Sequence, residues 1–567
     1  MENPPKDSTP CLENDPSARI DTITLGTSHV NSSDIEAARG LGGCLVPSEG
    51  TATWIHILPH ELVLLIFQLY AGMHTPVRNL VALTLVCKLW QHIVEGTPSL
   101  WCWISGEEAL PRVRKALAMA KDAPLEIHYP EEGAKTDQET FFTEIYGRIT
   151  HWRSLVVGTG NADTVVALLK SAVAPNLETL HLCGPYGWKG GPVTLFGGEQ
   201  APHALTDFKV HYIPVVMEPL RLSGLRSLEL RELPIMSAEE LLRVLSVSPA
   251  LEHYCLQNLA CLTDFTLPGH KKEFSTLHGV ETRTIHLSHL RSLTLGGLPV
   301  SFVHLVLSII RAPVLQGCFL DCRIDRHDQS PTSDLLTTHI SHLIPVLAAL
   351  TNEAEEIEIN SFGDNDWTFT VGKFAIGTEG ASALQRKHLD EMLEWLFGYL
   401  GGHLKALPVS LIFFELDVDS EWFTWVVSTL KVTKLELWTG PFRNRDPDQR
   451  PRNIISLLSQ PLVSAPIKWL FPELESIDTN VVHEYGKSKI LEMVKARHSY
   501  IETQGKDAGD SILKPFREIR LRGGRNNISK EVVPHAEFLD ALQEAAKGAE
   551  IWWEEVKWTG NKDSGSK

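Results

Sequence analysis

A short leucine pattern recurs through the middle of this 567-residue chain and constrains its fold more than any other feature. In each copy a leucine is followed three and five residues later by further apolar residues. The clearest copies start at Leu177, Leu205, Leu225 and Leu290. Looser copies start at Trp152, Leu251, Leu315, Val432, Leu474 and Phe516. Because apolar and polar residues alternate in the second half of each copy, each predicts a short strand with one buried side.

Helix signals lie between these copies. Ser237 and Glu240 have the spacing of a capping box, and the apolar run 241–245 follows them. Further helices are predicted at 161–173, 301–311 and 454–459, each ending shortly before a proline. The alternation of helix and strand predicts an α/β fold with a parallel sheet.

This repeat resembles the leucine-rich repeat. The resemblance implies an α/β solenoid over residues 106–530, with parallel strands along a concave side and helices outside. Residues 113–127 would be its first helix and strand. The starting leucines are 20 to 39 residues apart, which is less regular than such repeats usually are. An ordinary α/β layer fold is the alternative.

The segment 57–104 has a different character. Pro59 suits the first turn of a helix, and the following apolar residues recur at helical spacing at Leu62, Leu65, Ile66 and Leu69. A second helical run carries Leu80, Leu83, Val86, Trp90 and Ile93. About fifty residues are too few to bury a self-sufficient core, so this apolar unit should lie against a partner or the rest of the chain.

Three motifs in this segment occur in a fixed order: Leu58-Pro59-x-Glu61-Leu62, Val86-Cys87-Lys88-x-Trp90 and Pro98-x-Leu100-Trp101. Together they resemble the F-box-like domain common in basidiomycete fungal proteins, here residues 51–105. The alternative is a helical cap on a larger domain. The resemblance implies that a Skp-type adaptor of a cullin-RING ubiquitin ligase binds Leu58, Pro59, Leu62, Ile66 and Phe67. Trp90, Leu100 and Trp101 would hold the domain together.

The composition of the chain limits the partners and the cellular environment that we expect for it. Its formal charge of −18 argues against nucleic-acid binding, which needs a concentrated positive field. Nine cysteines without a paired framework predict reduced thiols. Neither a signal peptide nor an apolar run of ~20 residues is present, so we expect a soluble protein of the cytoplasm and/or nucleus with no membrane contact. Residues 1–50 are predicted to be disordered, and 531–567 to form a capping helix, over 536–556, and a polar tail.

The sequence predicts no catalytic residue, metal or cofactor. Gly486-Lys487-Ser488 lacks the glycine that a phosphate-binding loop needs five residues before Gly486, and is interpreted as a helix start. Cys318 and Cys322 form half of a zinc site at most, so buried thiols are the better interpretation.

The function expected from these patterns is that of a substrate receptor in an SCF-type ubiquitin ligase. The adaptor would link it to a cullin, and the strands would bind a target protein. Outward-facing strand residues are the predicted target contacts: Thr179, His181, Asp207, Lys209, Ser227, Glu229, Arg231, Ser292 and Thr294. One alternative is a scaffold without a degradative role. Another is an enzyme with a site in the inserts 261–281 and 325–333.

Overall fold

The computed structural model describes most of the chain between residues 58 and 559. The described residues are 58–71, 76–158, 162–198, 201–217, 220, 222–233, 238–259, 284–324, 342–362, 367–380, 395, 398, 404, 406–414, 430–438, 454–461, 469–480, 484–504, 513–522, 536–553 and 556–559. The predicted disordered segment 1–50, the inserts 261–281 and 325–333, and the tail after 559 lie outside them. The chain divides into two compact units, residues 1–64 and 65–567.

The first unit is described over residues 58–64, where a helix begins. The carbonyl oxygen of Pro59 accepts hydrogen bonds from the amides of Leu62 (3.0 Å) and Val63 (3.2 Å). This helix, α1, spans His60–Ala71 and continues into the second unit. Pro59 therefore stands at the helix start, as the sequence predicts.

The second unit opens with more short helices. They are α2 (Pro76–Thr84), α3 (Lys88–Gly96) and a 3₁₀ turn (Pro98–Trp101). The prediction of one helical run from Leu80 to Ile93 is wrong, because the chain breaks between α2 and α3. The amides of Leu85 and Val86 bond to carbonyls three residues back, the tighter spacing common at helix ends. Cys87 is then extended (φ −160°, ψ 166°), and α3 begins after it.

Beyond residue 102 the second unit is built on strands. They are β1 (Trp103–Ser105), β2 (Leu125–Tyr129), β3 (Trp152–Gly158), β4 (Thr179–Cys183), β5 (Asp207–His211), β6 (Ser227–Arg231), β7 (His253–Gln257), β8 (Ile285–His286), β9 (Ser292–Pro299), β10 (Ile310–Arg311), β11 (Gly317–Ile324), β12 (Ile357–Phe362), β13 (Trp367–Val371), β14 (Phe374–Gly380), β15 (Val409–Phe414), β16 (Val432–Trp438), β17 (Ser476–Asn480), β18 (Glu518–Arg522), β19 (Glu550–Trp553) and β20 (Val556–Lys557). Within the described residues, 18 of these strands join one sheet, while β8 and β10 pair separately.

The strands of the sheet pair mostly in chain order. From β1 to β7, then β9 and β11, each strand lies parallel to the next. The hairpin of β13 and β14 enters at this point: β11 pairs parallel with β14, β14 antiparallel with β13, and β13 antiparallel with β12. Parallel pairing then resumes from β12 through β15 to β19, and β20 closes antiparallel.

Helices lie between many of the described strands. They are α4 (Leu110–Ala120), α5 (Gln138–Tyr146), α6 (Asp163–Ser171), α7 (Ala238–Val247), α8 (Val300–Ile309), α9 (Ile344–Thr351), α10 (Ile454–Leu457), α11 (Glu484–Gln504) and α12 (Ala536–Ala546). The predicted helices at 161–173, 301–311 and 454–459 are confirmed, each slightly shorter than expected. The first predicted helix and strand after the helical domain are α4 and β2. The mixed α/β class with a mainly parallel sheet is thus confirmed, whereas the solenoid stays a prediction.

The leucine pattern accounts for the core of the sheet. In the four clearest copies all three apolar residues are at most 2% exposed, for example Leu177, Leu180 and Leu182. The residues between the last two are half-buried on the other face, as for His181. Because side chains alternate across a strand, the pattern fixes which face of the sheet is covered.

The backbone conformation just after several strands is also repeated. After β5, β6 and β7 comes a residue with a left-handed backbone: Tyr212 (φ 65°), Glu232 (φ 53°) and Asn258 (φ 49°). The amide of each donates to a carbonyl on the next strand, and Gly297 (φ 59°) continues the column in β9. Non-glycine residues adopt this conformation at a cost of about 1–2 kcal/mol each, so the neighbouring strands must hold it in place.

The C-terminal prediction needs correction. The helix expected over 536–556 ends at Ala546, and Trp552 and Trp553 lie on β19 rather than on a helix. Gly548 has φ +104°, which ends the helix and leaves the aromatic segment after it free to pair with β18.

Candidate functional site

One side of α1 carries a row of large apolar side chains that are exposed. The side chains of Leu62, Leu65, Ile66 and Leu69 are exposed, with Leu69 at 69%. Val63, Phe67 and Ala71 are buried on the opposite side, at i, i+4 and i+8. Isolated exposed leucines are ordinary, but a contiguous row on one helix is typical of a protein-binding surface.

The predicted adaptor contacts do not share one environment. Leu58, Pro59, Leu62 and Ile66 are exposed, so their side chains are available to a partner. Phe67 is 1% exposed, and its ring packs edge-to-face against Trp90 with centroids 4.9 Å apart. The prediction that Phe67 lies at the contact surface does not agree with this position, because residue 67 falls on the inner side of α1.

Three apolar residues that follow α1 in the sequence are exposed, and their exposure was not predicted from the sequence. Leu85 (81% exposed) and Val86 lie in the break between α2 and α3, and Leu89 lies on α3. Val86 was expected to belong to the buried stripe of a longer helix. A signal was available, since Leu83 and Leu85 are two residues apart and therefore cannot lie on the same helix face.

The predicted target contacts lie together on the outward face of the sheet. The strand register places Thr179, Asp207 and Ser227 side by side in one row. It places His181, Lys209 and Glu229 in a second row, and Arg231 continues β6 beyond it. All are half-buried between covered leucines.

Ser292 and Thr294 belong to the same rows but lie two strands further on. His253 and Cys255 of β7 stand between them and β6. These two residues were missed, although the alternation after Leu251 places them outward. Burial raises the pKa of the Cys255 thiol to about 11, so this position in the row is neutral.

The polar residues of β4, β5 and β6 form one ionic network. His181 Nε2 is 2.7 Å from Asp207 Oδ2, and His211 Nε2 is 3.2 Å from Glu229 Oε1. Lys209 Nζ lies 3.7 Å from Asp207 and 4.0 Å from Glu229, and Arg231 contacts Glu229. Two carboxylates thus stand among lysine, arginine and histidine side chains, so the charges on this face largely compensate one another.

Both carboxyl groups favour their ionised form. Burial opposes ionisation of Asp207, but hydrogen bonds from His181 and Ser227 and the charge of Lys209 outweigh it and lower its pKa. The hydrogen bond from His211 lowers the pKa of Glu229 to about 2 against the effect of burial, with Arg231 adding to the shift. The network is therefore built for a charged state near neutral pH.

A family model described as F-box-like matches residues 55–105. This segment is an F-box-like domain. It contains α1, α2, α3 and the 3₁₀ turn described above. The match ends at residue 105, before the first copy of the leucine pattern. No curated protein matches the sequence.

Within the second unit, the helices of the F-box-like domain are tied to the start of the sheet by a buried carboxylate. Glu108, which follows β1, has a fully buried side chain. Its Oε1 accepts the backbone amide of Arg78 in the first turn of α2 (3.0 Å), and its Oε2 pairs with Arg112 of α4 (3.0 Å). The Trp101 indole also donates to the carbonyl of Val94 in α3 (2.8 Å). These contacts satisfy a helix N-terminus and join α2 to α4.

In the described part of the chain no three His, Cys, Asp or Glu residues are placed to hold a metal ion. No helix there has the length and apolar character to cross a membrane. Cys318 and Cys322 are both buried, as expected, and burial raises the pKa of the Cys318 thiol to about 12.

Proposed function

We propose that this protein is a substrate receptor of an SCF-type ubiquitin ligase. The observation that carries the proposal is the F-box-like domain at residues 55–105 with an uncovered apolar row on α1. F-box proteins are typically non-catalytic subunits that bind a Skp-type adaptor, and this row offers the kind of surface that such binding requires. The adaptor would connect the protein to a cullin, in the cytoplasm and/or nucleus.

Adaptor binding is assigned to the exposed side of α1 and the residues just before it. Leu58, Pro59, Leu62 and Ile66 are the proposed contacts, with Leu65 and Leu69 beside them. Apolar side chains at the centre of an interface often contribute more than ~2 kcal/mol each to binding. Because these side chains are exposed, replacing them should cost the fold little.

The test is capture of a purified Skp-type adaptor by the double variant Ile66→Glu/Leu69→Glu. We expect affinity to fall by more than about tenfold, since two charges would have to be buried against the partner. The matched control is Val173→Glu, which places a charge at a 65% exposed apolar residue outside the F-box-like domain. Undiminished capture by a folded double variant would refute the assignment.

Target binding is assigned to the outward face of the sheet, which we propose to be the concave side of a leucine-rich-repeat-like solenoid. The face is polar, continuous from β4 to β9 and internally charge-compensated, which favours a protein partner over nucleic acid. The receptor would act by holding a target near the ubiquitin-transferring enzyme, an effect of proximity.

A bulky substitution away from the ionic network tests the face most cleanly. Charge reversal at Glu229 and Arg231 is unsuitable, because these residues hold the network together. Ser292→Arg/Thr294→Arg, on β9 two strands beyond the network, should instead block target capture and leave adaptor capture intact, whereas Val247→Arg on α7 should affect neither. An unchanged set of captured proteins would count against this face. Co-purification of adaptor and cullin supports a ligase, and adaptor alone a scaffold.

A further inference from the structure

A buried arginine in the C-terminal part of the sheet region has too few acceptors. Arg497, on α11, is 1% exposed. Its Nη1 donates to the carbonyl of Leu470 and its Nη2 to that of Phe471, both at 3.2 Å. The guanidinium also lies over two aromatic rings, with Cζ 5.1 Å from the centre of Phe516 and 5.9 Å from that of Trp469.

These contacts leave the charge of Arg497 without an anion. A guanidinium has five N–H groups, of which two are used here, and the Nε–H group is buried with no acceptor among the described residues. No carboxylate in that part of the chain pairs with it. Burial lowers the pKa of Arg497 to about 10, which still leaves the side chain charged at neutral pH. Buried charges are normally paired, because an unpaired one costs several kcal/mol.

A second donor in the same region is also unpaired. The indole Nε1 of Trp469 is buried without a partner among the described residues. This region therefore has more buried N–H donors than acceptors, and a positive charge without a negative partner.

A small cavity lies against Arg497. It is lined by Val494, Arg497, His498, Ile501, Pro515, Phe516 and Ala546. It is a small cavity, with room for a single small ion or molecule. His498, the other polar residue of the lining, has its Nε2 3.5 Å from Glu502.

We propose that this cavity binds a single monatomic anion, chloride in the cell, held by the guanidinium of Arg497. A halide ion accepts N–H donors and supplies the missing negative charge, and it needs no donor in return. A water molecule would leave the charge uncompensated, and a cavity this small has no room for phosphate. The anion would join α11 to Pro515 and Phe516, which line the same cavity.

Thermal unfolding of the full-length protein in chloride tests the site. Sodium chloride replaces sodium gluconate at constant ionic strength, so that only a specific effect changes Tm. We expect a saturable rise of roughly 2 °C or more. Arg497→Met should abolish the response, and Lys514→Met, which removes a part-exposed cation, should retain it. Equal Tm of the wild type in both salts would overturn the proposal.

A second measurement does not depend on the variant being folded. Crystals of the wild-type protein grown in sodium bromide should show an anomalous peak in the cavity beside Arg497. A water molecule, or a carboxylate of the chain itself in that position, would refute the anion site, as would an empty cavity.

Discussion

Ile66 and Phe67 are neighbours in the chain, but their side chains lie in different surroundings. Ile66 is exposed on the outer side of α1, and Phe67 is packed against Trp90. The sequence motif predicts that both residues contact a partner. The helix geometry instead leaves Ile66 available to a partner and uses Phe67 to pack the domain. A loss of adaptor binding would therefore have different causes at the two positions.

We predict that Phe67→Ala lowers stability by about 3–5 kcal/mol, because it removes a buried ring and leaves a cavity. Ile66→Ala should change stability by about 0.5 kcal/mol or less. Thermal or denaturant unfolding of both variants checks this. Similar losses at the two positions would mean that Ile66 is covered in solution.

At the scale of elements, β4, β5 and β6 are joined by charge as well as by backbone hydrogen bonds. The parallel register brings Asp207, Lys209 and Glu229 together although the loops between the strands differ in length. The carboxylates are stabilised in their ionised form, so the stability of this part of the sheet depends on pH.

The pH dependence has a definite sign at Glu229. Its pKa is about 2 in the folded protein and 4.5 in the unfolded chain. Its contribution to the free energy of unfolding is therefore complete above pH 4.5 and disappears as the pH falls from 4.5 towards 2. Glu229→Gln should be less stable than wild type at pH 7, and the difference should shrink across that window. Glu239→Gln, an exposed helix residue, is the control. Denaturant unfolding at several pH values measures both; a difference independent of pH would contradict the assignment.

The elements were predictable where a local pattern determines them. The leucine pattern identified ten of the 18 strands of the described sheet, and Pro59 marked the start of α1, because both signals lie within a few residues. The break before Cys87 was not predictable from periodicity, which continues through it. Neither was the Glu108–Arg78 hydrogen bond, which joins residues 30 positions apart. The outward rows were predicted residue by residue, but their ion pairs depend on a register that no single strand specifies.

At the scale of the whole molecule, the parallel order of the sheet in the second unit is interrupted between β11 and β12, where the antiparallel hairpin of β13 and β14 is inserted. The strands β1–β11 and β12–β19 would form separate parallel sets without the hairpin, since β14 pairs with β11 and β13 with β12. Gly372 makes the turn of that hairpin, between the paired residues Val371 and Phe374. Its φ of +59° suits the first position of a type II′ turn.

We predict that Gly372→Ala destabilises the protein by about 1–3 kcal/mol. A Cβ there would lie 2.6 Å from the carbonyl oxygen of Leu350, which is backbone and cannot rotate away. Gly147→Ala is the matched control, because its φ is −59° and nothing lies within 4 Å of the added atom. Denaturant unfolding compares the two, and equal effects would show that the turn adapts.

The same interruption has a consequence during synthesis on the ribosome. The strands up to β11 can pair in the order in which they emerge, but among the described strands β11 has no second neighbour until β14 has been made. At roughly 5–20 residues per second, its edge remains unpaired for several seconds. An open strand edge can pair with another chain. Between the emergence of Ile324 and that of Phe374 the nascent protein therefore presents this unpaired edge to other chains and to chaperones.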